Sequence, residues 1–321
     1  MAPPPEPLHA SFLCSLALAL LRAGRLSAAS HVASSLSSAA ASPPPALLRR
    51  LIPALASSGL AAAAARFRPV PGDPLTLNSV LLSHCALRSL RPALSLLRSS
   101  QAVDTVSYNI VISGISEHVR HGGSLAPALL AEMCKRGVPF DAVTVNAALV
   151  GLCRDGQVAA AAALAEMMVR GGGISELDAV GWNALIDGYC KLGDMVAALA
   201  AAERTRTQGV GVDVVGYNTL VAGLCRAGEV DAARDMLDTM KGDGVEPNVV
   251  TYTTFIAECC KRKAIDDAFS LYEEMVRMGV LPDVVTLSAL VDGLCRVGRF
   301  SEAYALFREM EKIGALSTHS M

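Results

Sequence analysis

Apolar residues recur along this chain with a helical period. Tyr217, Leu220, Val221 and Leu224 fall at i, i+3, i+4 and i+7, which is one face of an α-helix. Gly228 interrupts the run, and Ala233, Met236, Leu237 and Met240 repeat the spacing on a second helix. Gly244 and Pro247 close the segment, as these residues do after helices. The following segment repeats the design with Tyr252, Phe255, Ile256 and Cys259, then Ala268, Leu271, Tyr272 and Met275. Another uses Leu287, Leu290, Val291 and Leu294, then Ala303, Leu306, Phe307 and Met310.

The segments are copies of one unit. VVGYNTLVAGLC opens at Val214, VVTYTTFIAECC at Val249, VVTLSALVDGLC at Val284 and AVGWNALIDGYC at Ala179, each 35 residues from its neighbour. The units opening at Ala142 and Thr105 run 37 residues, and the one opening at Pro74 runs 31. Upstream the pattern fades into two degenerate helix pairs, Phe12–Leu36 broken at Gly24 and Pro43–Ala65 broken at Gly59. The expected organisation is therefore a degenerate pair within residues 1–40, another within 41–73, and a repeat array over 74–321. The last unit is incomplete: after Gly314 the chain reads ALSTHSM with no closing Pro–Asp, which points to a truncated product of a longer gene. A lone helix pair cannot bury its apolar face, whereas stacked pairs can. The predicted fold class is all-α, a right-handed α-solenoid of stacked antiparallel helix pairs.

Composition agrees with helix. Hydrophobic residues are 52% but aromatics only 4%, so Leu, Ala, Val and Met must fill the core. The net charge of −2 excludes a generally basic nucleic-acid binder, so any such affinity must come from local placement of charge. The charge is uneven along the chain. Residues 1–72 hold six arginines against the single acid Glu6 and are rich in Ala, Ser and Leu, the composition of a transit peptide overlapping the first helix pair. A secretory signal fits less well, because Met1–Ala10 carries Glu6 and no Lys or Arg. The expected location is the mitochondrion, with the chloroplast as alternative. No apolar stretch there is long enough to insert in a membrane.

Catalytic motifs are missing. There is no P-loop, nucleophile elbow, zinc motif, or HxE with CxxC, so the chain reads as a non-enzyme without cofactor or metal. Cys85, Cys153, Cys190, Cys225, Cys260 and Cys295 hold one place in successive units and are expected to be small packing residues. Trp182 stands where other units have Tyr108, Tyr217 and Tyr252, so it is expected in the core. Arg154, Lys191, Arg226, Lys261 and Arg296 each follow the cysteine of their unit. Cations there can cap the end of the first helix, and can also form a row of phosphate contacts.

The fifth residue of each unit is polar on an otherwise apolar helix: Asn78, Asn109, Asn146, Asn183, Asn218, Thr253 and Ser288. The first six units close on Asp104, Asp141, Asp178, Asp213, Asn248 and Asp283. Helix capping by the Asn and turn formation by the Asp are the plain explanations. Capping alone does not require two fixed places to be polar together.

The VVTY-like opening, the GLC followed by a basic residue, the mid-unit Ala, the EM pair and the closing Gly–Pro–Asp/Asn resemble the pentatricopeptide repeat family, in its plain 35-residue type from plant organelles. The resemblance covers Pro74 to about Gly314. Tetratricopeptide repeats, about 34 residues long with a different Trp/Leu/Gly/Tyr signature, fit less well. The resemblance implies sequence-selective binding of single-stranded RNA, with one base read per repeat by the fifth and closing residues. It also implies that the second residues Val106, Val143, Val180, Val215, Val250 and Val285 wedge between bases. Under the family's pairing rules Asn with Asp suggests U, Asn with Asn a pyrimidine leaning to C, and Thr with Asp G. With the N-terminus toward the RNA 5′ end, the units from Pro74 to Asp283 spell 5′-UUUU(C/U)G-3′. The role implied is RNA processing, stability, splicing or translation in an organelle. A protein-binding scaffold is the competing function.

Overall fold

A computed structural model of the chain describes residues 7–38, 43–118, 125–170 and 177–317. The described residues form helices and turns with no strand, and no helix among them is long and apolar enough to cross a membrane. The chain divides into two compact units, Met1–Ser175 and Glu176–Met321, so the boundary falls inside the expected array.

The first unit holds α1 (Pro7–Arg22), α2 (Leu26–Ser38), α3 (Pro45–Ser57), α4 (Ala61–Ala64), α5 (Pro74–Ala86), α6 (Leu90–Ser99), α7 (Thr105–His118), α8 (Ala126–Lys135), α9 (Ala142–Arg154) and α10 (Val158–Arg170). The second holds α11 (Ala179–Leu192), α12 (Met195–Thr207), α13 (Val214–Ala227), α14 (Val230–Gly242), α15 (Val249–Lys261), α16 (Ile265–Arg277), α17 (Val284–Arg296) and α18 (Phe300–Ser317). Within each unit, first helices pack on neighbouring first helices: α1, α3, α5, α7 and α9 in one, α11, α13, α15 and α17 in the other. The second helix of each pair packs on its own first helix. This is the stacked helix-pair architecture of an all-α solenoid.

Most of the expected apolar positions form the core, while Met236, Tyr272 and Val291 are half-buried and Phe307 is exposed. Tyr217, Leu220, Val221, Leu224, Tyr252, Phe255 and Ile256 are buried. α1 and α2 turn about Gly24 at φ 70°, and Ala17, Ala33 and Leu36 pack in one cluster with Leu51, Ile52 and Leu55 of α3. The fourth helix has only four residues, so the second pair is a shortened one. The last helix runs past Gly314 to Ser317, since no Pro follows the glycine to end it.

The GLC signature is a close-approach device. A Cβ added at Gly223 would sit 2.7 Å from Cys190 Sγ and 3.0 Å from Met195 Sδ. Cys85 stands likewise against Gly114, and Cys260 against Gly293. Each cysteine thus fills the notch left by the glycine of the next first helix. Burial pushes the Cys85, Cys190 and Cys260 thiols up to about 11 and Cys225 to about 12, so they are inert packing groups. Cys153 is buried as well, while Cys295 on the last first helix is exposed. Among the described residues no cluster of His, Cys, Asp or Glu could hold a metal ion.

Candidate nucleic-acid interface

The closing residues start the next first helix. Asp104 Oδ1 accepts from the Ser107 amide at 2.8 Å, Asp141 from Thr144 at 2.9 Å, and Asp178 from Gly181 at 3.0 Å. Asp213 accepts from Gly216 at 2.9 Å, Asn248 from Thr251 at 3.1 Å and Asp283 from Thr286 at 2.8 Å. Each is an N-cap, satisfying an amide that has no helical partner. This corrects the sequence expectation on one point. Capping belongs to the closing Asp or Asn, whereas the fifth-place Asn lies one turn inside its helix and caps nothing.

The fifth residue reaches across to that cap. Asn78 Nδ2 donates to Asp104 Oδ1 at 3.3 Å, Asn109 Nδ2 to Asp141 Oδ1 at 3.2 Å and Asn183 Nδ2 to Asp213 Oδ1 at 2.9 Å. Residues some 30 positions apart are therefore held side by side. Thr253 joins Asp283 through an intermediary: its hydroxyl lies 2.6 Å from Thr286 Oγ1, which lies 2.8 Å from Asp283 Oδ1. In the repeat that closes on Asn248 rather than an aspartate, the Asn218 Oδ1 is buried without a hydrogen-bond partner. Asn146 is buried, and Ser288 in the last unit is exposed.

The sequence reading overlooked the third residue of each unit. Ser107 Oγ lies 2.6 Å from Asn78 Oδ1 and 2.8 Å from Asp104 Oδ1. Thr144 Oγ1 stands at the same 2.6 and 2.8 Å from Asn109 and Asp141. The available signal was the Ser or Thr at the third place of TVSY, AVTV, VVTY and VVTL, beside Gly in AVGW and VVGY. Burial raises the Asp141 carboxyl, but hydrogen bonds from the Thr144 amide and hydroxyl and from Asn109 outweigh it and hold it below its ordinary value. Asp283 is lowered in the same way, chiefly by the Thr286 amide. These closers stay anionic at neutral pH and present acceptors outward.

The second residues are solvent-facing. Val106, Val143, Val180, Val215, Val250 and Val285 are 51–63% exposed, a row of aliphatic side chains three residues before the polar fifth place and hence on its helix face. The following cations are exposed but engaged. Lys191 pairs with Asp187, Lys261 with Glu258 at 2.6 Å, and Arg296 with Asp292 at 2.7 Å. Arg226 bonds the Ala222 carbonyl of its own helix at 3.2 Å. Arg154 differs, donating to the Ser116 carbonyl at 2.9 Å and to that of Glu117, so it staples α9 onto the end of α7. Exposed i,i+3 and i,i+4 pairs are weak enough to exchange their carboxylate for a phosphate. The Arg154 staple is a structural contact. Trp182 is buried as expected, with the Arg204 guanidinium 5.1 Å from its ring centre.

Family models match the chain here. The PPR repeat family matches residues 212–261 and 247–296, and the PPR repeat matches 180–204 and 285–314. No curated protein matches the sequence. Among solved structures, the pentatricopeptide repeat protein PPR10 from maize superposes with a TM-score of 0.72 at 27% identity, over 96% of this chain and 47% of that one. PPR10 in complex with an 18-nt psaJ RNA element matches with a TM-score of 0.65 at 22% identity, over 94% of this chain and 45% of that one. The chain thus spans slightly less than half the length of these two relatives.

Proposed function

Because the chain is a pentatricopeptide repeat protein, we propose that it binds single-stranded RNA and reads one base per repeat. The observation that carries this reading is the pairing of fifth and closing residues, seen directly at Asn78, Asn109 and Asn183 and through Thr286 at Thr253. A half-buried amide held against an anionic cap presents a fixed donor and acceptor edge, which is what distinguishing bases requires. The exposed valine beside each pair supplies an apolar surface on which a base stacks. The PPR10 structure with a psaJ RNA element supports the same class of partner. A peptide-binding scaffold would have no use for paired polar places beside a wedge. The proposed target is 5′-UUUU(C/U)G-3′, with Lys191, Arg226, Lys261 and Arg296 on phosphates. The outcome is protection, processing, splicing or translation of one transcript without chemistry. The Arg-bearing, acid-poor residues 1–72 favour an organelle, the mitochondrion ahead of the chloroplast.

Thr253→Asn tests this reading. It sets an asparagine between Asp283 and Thr286, the arrangement of Asn109 between Asp141 and Thr144. The last base preferred should change from G to U, with a swing of roughly 1–3 kcal/mol at that position alone. Titrating both RNAs against both proteins at one salt concentration measures it. An unchanged preference for G would remove Thr253 from the base and the reading with it.

A further inference from the structure

We propose that the third residue of each repeat is a positioning residue for the base-reading pair of the repeat before it. Where the repeat closes on aspartate, a hydroxyl there clamps the fifth-place side chain and a glycine releases it. At Asn218, whose repeat closes on Asn248, the Thr251 hydroxyl turns to Asn248 and the Asn218 Oδ1 is left unbonded. The proposal rests on the RNA-reading function above. It adds a third place to the two that touch the base, and it divides the repeats that close on aspartate into two kinds.

The clamped kind is clearest at Asn109. Its Nδ2 donates to Asp141 at 3.2 Å while its Oδ1 stands 2.6 Å from Thr144 Oγ1. Asn78 is held in the same way between Asp104 and Ser107. Both ends of the amide are engaged, so its remaining N–H and lone pair point in fixed directions. Such an amide can tell a base edge that offers an acceptor from one that offers a donor. Thr253 belongs to this kind, its hydroxyl against Thr286 Oγ1 at 2.6 Å. The hydroxyl that clamps has a single proton, which Thr144 shares between Asn109 Oδ1 and Asp141 Oδ1, 2.6 and 2.8 Å away.

The released kind is Asn183. Here the third place of the following repeat is Gly216, and a Cβ on it would lie 2.7 Å from Asn183 Oδ1. The amide occupies the space that a serine or threonine side chain takes elsewhere. Its contact with Asp213 is accordingly the shortest of the three amide–carboxylate pairs, at 2.9 Å. With no hydroxyl at that place, the amide pivots on its single bond to the carboxylate. It adapts to either pyrimidine, which differ in whether the Watson–Crick edge donates or accepts. Rigid readers discriminate because a mismatched base leaves a buried polar group unpaired, and a pivoting reader escapes that cost.

The experiment uses the full chain and RNAs that differ only in the base beneath Asn109. The readout is the U/C ratio of affinities there, Kd for C divided by Kd for U, with the ratio beneath Asn183 as internal control. Thr144→Val keeps the branched volume and removes the hydroxyl, and Thr144→Gly copies Gly216. Both should lower the U/C ratio about threefold to tenfold, the scale of one net hydrogen bond, and Thr144→Ser should restore it. Gly216→Ser should raise the ratio beneath Asn183, because the groups its side chain meets, Asn183 Oδ1 and Val212 Cγ1, are ends of movable side chains. A ratio beneath Asn109 unchanged by Thr144→Val and Thr144→Gly, but lost in Asn109→Ala, would overturn the positioning role and leave base reading intact. A ratio that survives Asn109→Ala as well would overturn base reading, and this proposal with it.

Discussion

The stretch Pro45–Asp73 and the repeat that follows it, Pro74–Asp104, share a scaffold and differ in what they present. Their first helices, α3 and α5, both open on proline. Leu48, Leu51 and Ile52 are buried in one at the places of Leu77, Val80 and Leu81 in the other. Both stretches close on an aspartate that caps the next helix, Asp73 on the Thr76 amide at 3.1 Å and Asp104 on the Ser107 amide at 2.8 Å. At the fifth place the earlier stretch carries Arg49 instead of asparagine. Its Nε lies 3.6 Å from Asp73 Oδ1, an ion pair in the geometry that Asn78 and Asp104 use for a hydrogen bond. The second place holds Ala46 rather than an exposed aliphatic. Scaffold and reader are therefore written at different positions, and a helix pair keeps the first while losing the second.

The largest test of that separation strikes the scaffold. Leu51→Ala and Leu81→Ala each delete a side chain with no exposed surface, one in each stretch. Both should cost about 2–5 kcal/mol, seen as a lowered urea midpoint by circular dichroism. A melt untouched by Leu51→Ala would show that the upstream pairs do not fold cooperatively with the repeats. A smaller effect, and one of gain, follows from the reader. Arg49→Asn places an amide against Asp73, with Thr76 at the third place. Binding should then select U one nucleotide upstream of the present footprint, by roughly 1–3 kcal/mol over other bases. A footprint of unchanged length would mean that the missing wedge at Ala46 matters more than the amide.

The scaffold was legible because burial imposes a period that single residues cannot hide. Leu220, Val221 and Leu224 announce a buried helix face wherever they stand. Capping was harder to assign, since Asn and Asp both cap helices. Only the helix start decides which one does, and Asp141 takes that place one residue before Ala142. The row of cations was legible as a pattern but not in its chemistry. Arg154 and Arg226 look alike in sequence, yet one staples a neighbouring helix and the other turns to its own. The third residue escaped notice because Thr144 and Gly181 read as ordinary first-turn variation. Its meaning lies in the distance from Thr144 to Asn109, 35 residues earlier in the chain.

The smallest effect expected in folding, and the one that parts scaffold from reader within a single residue, is Asp141→Asn. Asparagine caps helices as well as aspartate does, so the amide of Thr144 keeps its acceptor. What is removed is the charge, which at an exposed helix start contributes about 0.3–1 kcal/mol at neutral pH. The Asp141 carboxyl in the folded chain titrates below its ordinary value of 3.8. A depressed carboxylate stabilises the fold above the unfolded value, and that share is lost as pH falls through the folded one. Thermal melts of the parent should therefore drop between pH 5 and more acid conditions more steeply than melts of Asp141→Asn. Parallel curves for the two proteins would mean that the charge adds nothing to the fold. At neutral pH the same variant melts within a few degrees of the parent, about the shift such an energy produces in a small domain. Its reader has nonetheless changed, because Asn109 now stands against an amide, the combination that Asn218 and Asn248 make in the sequence. Its base should lean from U toward C. A stability profile altered by acid, together with a base preference altered at neutral pH, would assign both duties of the closing residue to one carboxylate.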